Sequence, residues 1–67
     1  MTIIINGEHH TAPEPLTLAD LVDRLNLTDA RRIAIEYNGE LSARSTWAEV
    51  TLTDGDRLEI VHLVGGG

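Results

Sequence analysis

The first apolar and polar positions of the chain predict a β-hairpin. Residues 2–5 read Thr-Ile-Ile-Ile, a β-branched run that is typical of a strand. The pair Asn6-Gly7 follows and favours a two-residue turn, because both of its positions must adopt a positive φ. Residues 8–11 are then expected to return as a second strand, and the prolines that come next should end the sheet.

The following apolar positions have the spacing of a helix. Thr17 is the expected N-cap, and Asp20 stands three residues later in a capping-box arrangement. Leu16 and Leu21 flank this start with the spacing of a hydrophobic staple. The apolar face recurs at intervals of three and four residues: Leu18, Leu21, Val22 and Leu25. The helix is expected to end between residues 25 and 27.

A second hairpin is predicted after the helix. Residues 33–37 read Ile-Ala-Ile-Glu-Tyr and alternate as a strand does. Another Asn-Gly pair at residues 38–39 predicts a tight turn. The chain should then return in a short strand at residues 40–43.

Two local caps are predicted further along the chain. Residues 45–49 are typical of a single helical turn, for which Ser45 or Thr46 is the expected cap. Asp54-Gly55 predicts a third turn, and we expect the Asp54 side chain to bond its own backbone there.

The last strand is predicted over residues 57–64, and its two faces should differ. Side chains alternate along a strand, so Leu58 and Ile60 are expected to face the helix. Val61 and Leu63 then point away from the core. Two exposed apolar side chains on one face predict a surface on which a partner docks.

The order of these elements indicates a fold class. Two strands, a helix, a strand, a short strand and a final strand are typical of the β-grasp fold, the ubiquitin-like α+β architecture. We expect one β-grasp domain over residues 1–64, with a mixed sheet of four to five strands packed on one main helix. Residues 65–67 are expected to form a flexible glycine tail.

Composition excludes several classes of protein. The chain has 67 residues, a net charge of -6 and no cysteine. A chain this small is not expected to build a core and also enclose a catalytic pocket, so we do not expect an enzyme. No metal site is expected, since the adjacent His9 and His10 point to opposite faces of a strand. The net negative charge disfavours binding to nucleic acid. No apolar run reaches the roughly 18 residues of a membrane span. We expect a cytoplasmic protein.

The three glycines at the end are the candidate reactive segment, since they belong to no predicted turn. A thread without Cβ atoms can pass through a channel too narrow for other residues. The α-carboxylate of Gly67 would be ionised at neutral pH and is a poor acyl electrophile until it is activated, for example as an acyl-adenylate made from ATP. The pattern favours a protein that is itself the substrate of a partner enzyme; a frayed terminus is the alternative.

The whole chain resembles the sulfur carrier proteins of thiamine biosynthesis, bacterial β-grasp proteins that end in Gly-Gly. The most specific element is the ending Val-His-Leu-Val-Gly-Gly-Gly at residues 61–67. One departure is Ala43, which stands before Arg44 where the family often has proline. The other segments that carry the resemblance are residues 3–7, the helix from Thr17, residues 37–40, Arg44 followed by Trp47, and residues 54–61.

The resemblance implies a defined set of partners and roles. A ubiquitin-activating-type enzyme would use ATP and Mg²⁺ to adenylate Gly67. A sulfur donor enzyme would supply the sulfur of a C-terminal thiocarboxylate, and thiazole synthase would take that sulfur up. Gly65 and Gly66 would thread into the partner's active site, and the chain itself would bind no cofactor. Two other interpretations stay open: the small subunit of molybdopterin synthase, and a non-catalytic β-grasp module that only binds.

Overall fold

The computed structural model describes residues 1–27 and 30–63. The glycine tail at residues 65–67, and Val64 at the end of the predicted last strand, lie outside these ranges. The described residues contain all the other elements predicted above.

The strands form one mixed sheet. Within the described ranges they are Thr2–Ile5 (β1), Glu8–Thr11 (β2), Ile33–Tyr37 (β3), Glu40–Ser42 (β4) and Arg57–His62 (β5). Their order across the sheet is β2-β1-β5-β3-β4. β1 and β5 are parallel, and the other neighbours are antiparallel. This topology confirms the β-grasp prediction, in which the last strand enters the middle of the sheet.

Both Asn-Gly turns have the predicted backbone conformation. Asn6 and Gly7 have φ values of 51° and 82°, and Asn38 and Gly39 have values of 51° and 88°. Positive φ at both central residues matches the right-handed twist of the flanking strands. These turns set the registers Ile5↔Glu8 in the first hairpin and Tyr37↔Glu40 in the second.

The helix Leu18–Arg24 (α1) begins at the predicted capping box. The Thr17 hydroxyl accepts a bond from the Asp20 backbone N–H at 3.1 Å, and the Asp20 carboxylate accepts one from the Thr17 N–H at 3.2 Å. The helix ends just before the predicted range. Asn26, with a φ of 54°, turns the chain out of the helix, and its N–H bonds the carbonyl of Asp23 at 3.1 Å, as in a Schellman ending.

The helix covers one face of the sheet. Leu18, Leu21 and Val22 are buried beneath it, as predicted, while Leu25 is partly buried. Ile3, Leu18, Ile35 and Leu58 are the largest fully buried side chains. Among the described residues, the buried hydrophobic cluster consists of aliphatic residues and one tryptophan: Ile3, Ile5, Ala12, Leu16, Leu18, Leu21, Val22, Ile33, Ile35, Trp47, Leu52, Leu58 and Ile60.

The predicted cap by Ser45 or Thr46 is wrong. A 3₁₀ helix spans Arg44–Glu49, and its N-cap is Ala43, which has no side-chain cap bond. Because the helix begins before Ser45, both hydroxyl residues lie inside its first turn. The Thr46 hydroxyl instead donates back to the Ala43 carbonyl at 2.8 Å. The turn serves to bury Trp47, whose indole N–H donates to the Ser42 carbonyl at 3.0 Å.

The prediction for Asp54 is wrong as well. Its carboxylate accepts a bond from the Thr2 backbone N–H at 2.6 Å, so it joins the turn to β1 rather than bonding its own backbone. Asp56 holds the turn instead. It is 7% exposed and accepts bonds from the backbone N–H and the hydroxyl of Thr53 at 2.7 and 2.9 Å.

Asp56 also joins this turn to the second hairpin. Its carboxylate accepts bonds from the Tyr37 hydroxyl at 2.7 Å and from the Asn38 side-chain amide at 3.2 Å. Burial alone would raise the pKa of Asp56, but the bonds from Thr53, Tyr37 and Asn38 outweigh it and hold the pKa below its usual value. The same bond from Tyr37 to Asp56, together with burial, raises the pKa of Tyr37. The start of β5 is therefore fixed to the end of β3.

Candidate functional site

The strand that leads to the glycine segment is anchored on both sides. β5 pairs with β3 along its length, from Tyr37↔Leu58 to Ile33↔His62. On its other side, the Asn6 side chain brackets Ile60: the Ile60 N–H donates to Asn6 Oδ1 at 2.7 Å, and Asn6 Nδ2 donates to the Ile60 carbonyl at 3.2 Å. The positive φ of Asn6 in the first turn places its amide at this point. β5 is thus held rigidly almost to its end.

Hydrogen bonding continues one residue past β5. The Leu63 N–H donates to the Arg32 carbonyl at 2.6 Å. Leu63 is followed by Val64 and by Gly65, Gly66 and Gly67, the predicted tail residues, all of which lie outside the described residues. The modification of Gly67 and the threading of Gly65 and Gly66 remain predictions. The structure describes β5 and Leu63, which precede Val64 and the three glycines in the sequence.

The faces of β5 follow the predicted alternation. Leu58 and Ile60 are buried under α1, whereas Val61 and Leu63 are 55% and 51% exposed. In the sequence, Val61 and Leu63 precede the three glycines by a few residues. Their exposure is the property that a docking surface requires, although their role in docking remains a prediction.

One further exposed apolar residue belongs to the same face and was not predicted from the sequence. Leu41 of β4 is 76% exposed and lies opposite Glu36 of β3. Glu36 lies in turn opposite Glu59 of β5. The signal was present in the sequence, because the register of the Asn38-Gly39 turn decides which β4 residues face away from the core.

The described residues contain no candidate metal site. Among residues 1–27 and 30–63, no group of three or more His, Asp or Glu side chains could hold a metal ion. An open cleft of about 320 Å³ lies beside β4, lined by Tyr37, Glu40, Leu41, Ser42, Ala43 and Thr46. Within the same ranges, no helix is long and apolar enough to cross a bilayer.

Comparisons with known proteins agree on one family. The model of the ThiS family matches residues 3–67. The crystal structure of the thiamine biosynthesis protein ThiS from Geobacter metallireducens superimposes with a TM-score of 0.87, at 32% identity over 100% of both chains. The sulfur carrier protein ThiS of Bacillus subtilis is 39% identical over 51 residues, which cover 76% of each chain.

A longer relative contains a segment that is similar to the whole chain. The thiazole synthase of Paramagnetospirillum magneticum is 40% identical over 67 residues. These residues are 100% of this chain but only 20% of the synthase, so the chain spans about one fifth of that relative.

Proposed function

The chain belongs to the ThiS family of sulfur carriers in thiamine biosynthesis, and from this premise we propose that the carboxylate of Gly67 is the group that carries the sulfur. The protein is then a carrier and co-substrate, and its partner enzymes supply the catalysis. The family match favours the thiamine interpretation over the molybdopterin one.

The proposed chemistry begins with activation of the carboxylate. An oxygen of the Gly67 carboxylate attacks the α-phosphorus of ATP, and pyrophosphate leaves, which yields an acyl-adenylate. A hydrosulfide ion that the donor enzyme supplies then attacks the carbonyl carbon and expels AMP, and the resulting thioacid loses its proton. The product is a C-terminal thiocarboxylate. ATP and Mg²⁺ belong to the adenylating enzyme in this scheme, and the carrier contributes the reacting terminus.

The observation that carries the proposal is the contrast between β5 and the sequence that follows it. β5 is bonded to β3 as far as His62 and bracketed by Asn6 at Ile60. The next residues after Leu63 and Val64 are three glycines. A rigid strand followed by residues without side chains suits a terminus that must reach into another protein's active site. Val61 and Leu63, which precede the glycines in the sequence, are exposed and would contact that protein.

Thiazole synthase is the proposed acceptor of the sulfur. In P. magneticum, a segment similar to this whole chain is part of a protein named thiazole synthase. Two modules in one polypeptide meet at a high effective concentration, which is an advantage when one module delivers a group to the other. We extend this partnership to the present chain as a proposal.

Intact-protein mass spectrometry tests the proposed function. A protein ending at Gly67 is incubated with ATP, Mg²⁺, a ubiquitin-activating-type enzyme and a sulfide source. The expected result is a mass gain that corresponds to the exchange of one oxygen for sulfur, and fragmentation should place it on Gly67. The control omits ATP and should show no change. An unchanged mass with an enzyme preparation that adenylates another member of the family would contradict the proposal.

A further inference from the structure

The Asn6 side chain takes the place of a strand neighbour that β5 lacks at Ile60. β1 pairs with β5 as far as Ile5↔Leu58, and the Asn6 N–H still donates to the Leu58 carbonyl at 2.9 Å. Two residues further along β5, both backbone groups of Ile60 bond the Asn6 side chain instead, at 2.7 and 3.2 Å. One side chain thus extends the edge of β1 beyond the point at which its backbone turns away.

The first turn does not require the Asn6 side chain. Asn6 has a φ of 51°, and glycine adopts such a positive φ as readily as asparagine does. The backbone could therefore form the same turn with glycine at position 6. Asparagine adds the two bonds to Ile60, which join residues 54 positions apart in the chain.

These bonds hold β5 at the point where core packing ends. Ile60 is the last buried residue of β5, at 8% exposure, and residues 61–63 are all exposed. Pairing with β3 nevertheless continues to His62. The position of the exposed end of β5 therefore depends on β3 on one side and on Asn6 on the other.

We propose that Asn6 is a positioning residue for the reaction of Gly67, because it fixes the end of β5 from which the chain continues to its terminus. This inference rests on the proposed function. Gly67 follows Leu63 by four residues, which span at most about 14 Å, so the position of Leu63 limits where the carboxylate can reach. Without the Asn6 side chain, only β3 holds Ile60, and a docked carrier presents its terminus in the reactive position less often.

Glycine substitutions at the two turn asparagines separate positioning from stability. Asn6→Gly keeps the turn and removes both bonds to Ile60. Asn38→Gly is the matched control, because Asn38 has the same φ of 51° and also bonds β5. Its Oδ1 accepts from the Arg57 N–H at 2.8 Å, at the start of the strand. Both variants lose side-chain bonds to β5, and only Asn6→Gly loses them near the end that leads to Gly67.

ATP–pyrophosphate exchange with the adenylating enzyme measures kcat and KM for each variant as the carrier. A variant that is only less stable has fewer competent molecules, so its apparent KM rises while the rate at saturation is unchanged. A misplaced terminus lowers kcat instead, and a displacement of about 1 Å can cost about a hundredfold. Because β3 still holds β5 on one side, we expect kcat to fall roughly tenfold for Asn6→Gly and to stay within about twofold for Asn38→Gly.

Hydrogen exchange and a second variant exclude misfolding as the cause. The Ile60 amide proton should exchange faster in Asn6→Gly, since its acceptor is gone, while melting curves establish that each variant is folded at the assay temperature. If Asn6→Gly does not fold, Asn6→Asp replaces it. Aspartate keeps an acceptor for the Ile60 N–H, but its second oxygen stands where the amide donates to the Ile60 carbonyl, so kcat should again fall.

Three results would each overturn the inference alone: a kcat for Asn6→Gly, or for Asn6→Asp in its place, within about twofold of the wild type, an equal fall in Asn38→Gly, or an unchanged exchange rate at Ile60. In each case the wild-type protein is still adenylated, so the proposed function stands. A wild-type protein that supports no exchange would remove both.

Discussion

Replacing Asp56 by asparagine should lower the free energy of unfolding by about 1.5–3 kcal/mol. The carboxylate accepts four hydrogen bonds, two from Thr53 and one each from Tyr37 and Asn38. Asparagine can keep one oxygen for the Thr53 backbone N–H and the Tyr37 hydroxyl. Its amide group then faces the hydroxyl of Thr53, which can rotate, and the amide of Asn38, which cannot.

Asn38 is fixed by its other contact. Its Oδ1 accepts a bond from the Arg57 backbone N–H at 2.8 Å, so its Nδ2 must point at residue 56. In the variant, the side-chain amide at position 56 and Nδ2 of Asn38 are two donors that face each other, so the hydrogen bond between these side chains is lost. The three hydrogen bonds that remain are weaker because they are no longer charge-assisted. A chain of this size has a total stability of roughly 3–10 kcal/mol, so the loss is a large part of it.

Urea unfolding measures this loss, and Trp47 reports it because its side chain is only 4% exposed in the folded state. The matched control is Asp54→Asn, which keeps an oxygen for the Thr2 N–H and should cost less than about 1 kcal/mol. Equal stabilities for Asp56→Asn and the wild type would refute the reasoning, and so would a larger loss in the control.

The pH dependence gives an independent check on Asp56. Its pKa in the folded protein lies below the ordinary value of 3.8. The carboxylate therefore stabilises the fold at pH values above 3.8, and this contribution is lost as the pH falls through the folded-state pKa. The stability difference between the wild type and Asp56→Asn should shrink on acidification. A difference that stays constant to low pH would show that the charge of Asp56 contributes nothing.

Three further predictions concern other parts of the molecule. Thr17→Ala removes the helix cap and should cost about 0.5–2 kcal/mol in urea unfolding; an unchanged midpoint would show that the cap is dispensable. The pKa of Tyr37 is raised above 10.0, so its contribution to stability is complete below pH 10 and disappears as the pH rises through the folded-state pKa. Tyr37→Phe should therefore flatten the alkaline limb of a melting-midpoint profile, and an unaltered limb would argue against this. Val61→Asp and Leu63→Asp should leave the melting curve nearly unchanged while weakening binding to thiazole synthase in calorimetry; unfolding of either variant would place that residue in the core.

Local signals predicted most of the fold. Each Asn-Gly turn and the Thr17 capping box depend on neighbours within a few residues, so their geometry can be derived from sequence alone. The alternation along β5 placed Leu58 and Ile60 inside and Val61 outside because only one face of the sheet is covered by a helix.

The incorrect predictions concern side chains whose partners are distant in sequence or depend on the start of a helix. Asp54 and Asp56 both flank the same turn, and only the folded chain shows that Tyr37 and Asn38 reach Asp56 while Thr2 reaches Asp54. The cap at Ser45 or Thr46 failed because the 3₁₀ helix begins at Arg44. The opposition of Glu36 and Glu59 likewise depends on the pairing of β3 with β5, which are far apart in the chain.

The most direct test of the central claim is ATP–pyrophosphate exchange with a protein that carries one residue added after Gly67. The addition replaces the reacting carboxylate by a neutral amide, and it moves the new terminus by about 3.3–3.6 Å along an extended chain. A misplacement of about 1 Å can already cost about a hundredfold in rate, and the core is untouched, so we predict that exchange is abolished while the melting curve stays the same as that of the wild type. Exchange at the wild-type rate by the extended protein would contradict the claim that Gly67 is the terminus that is activated.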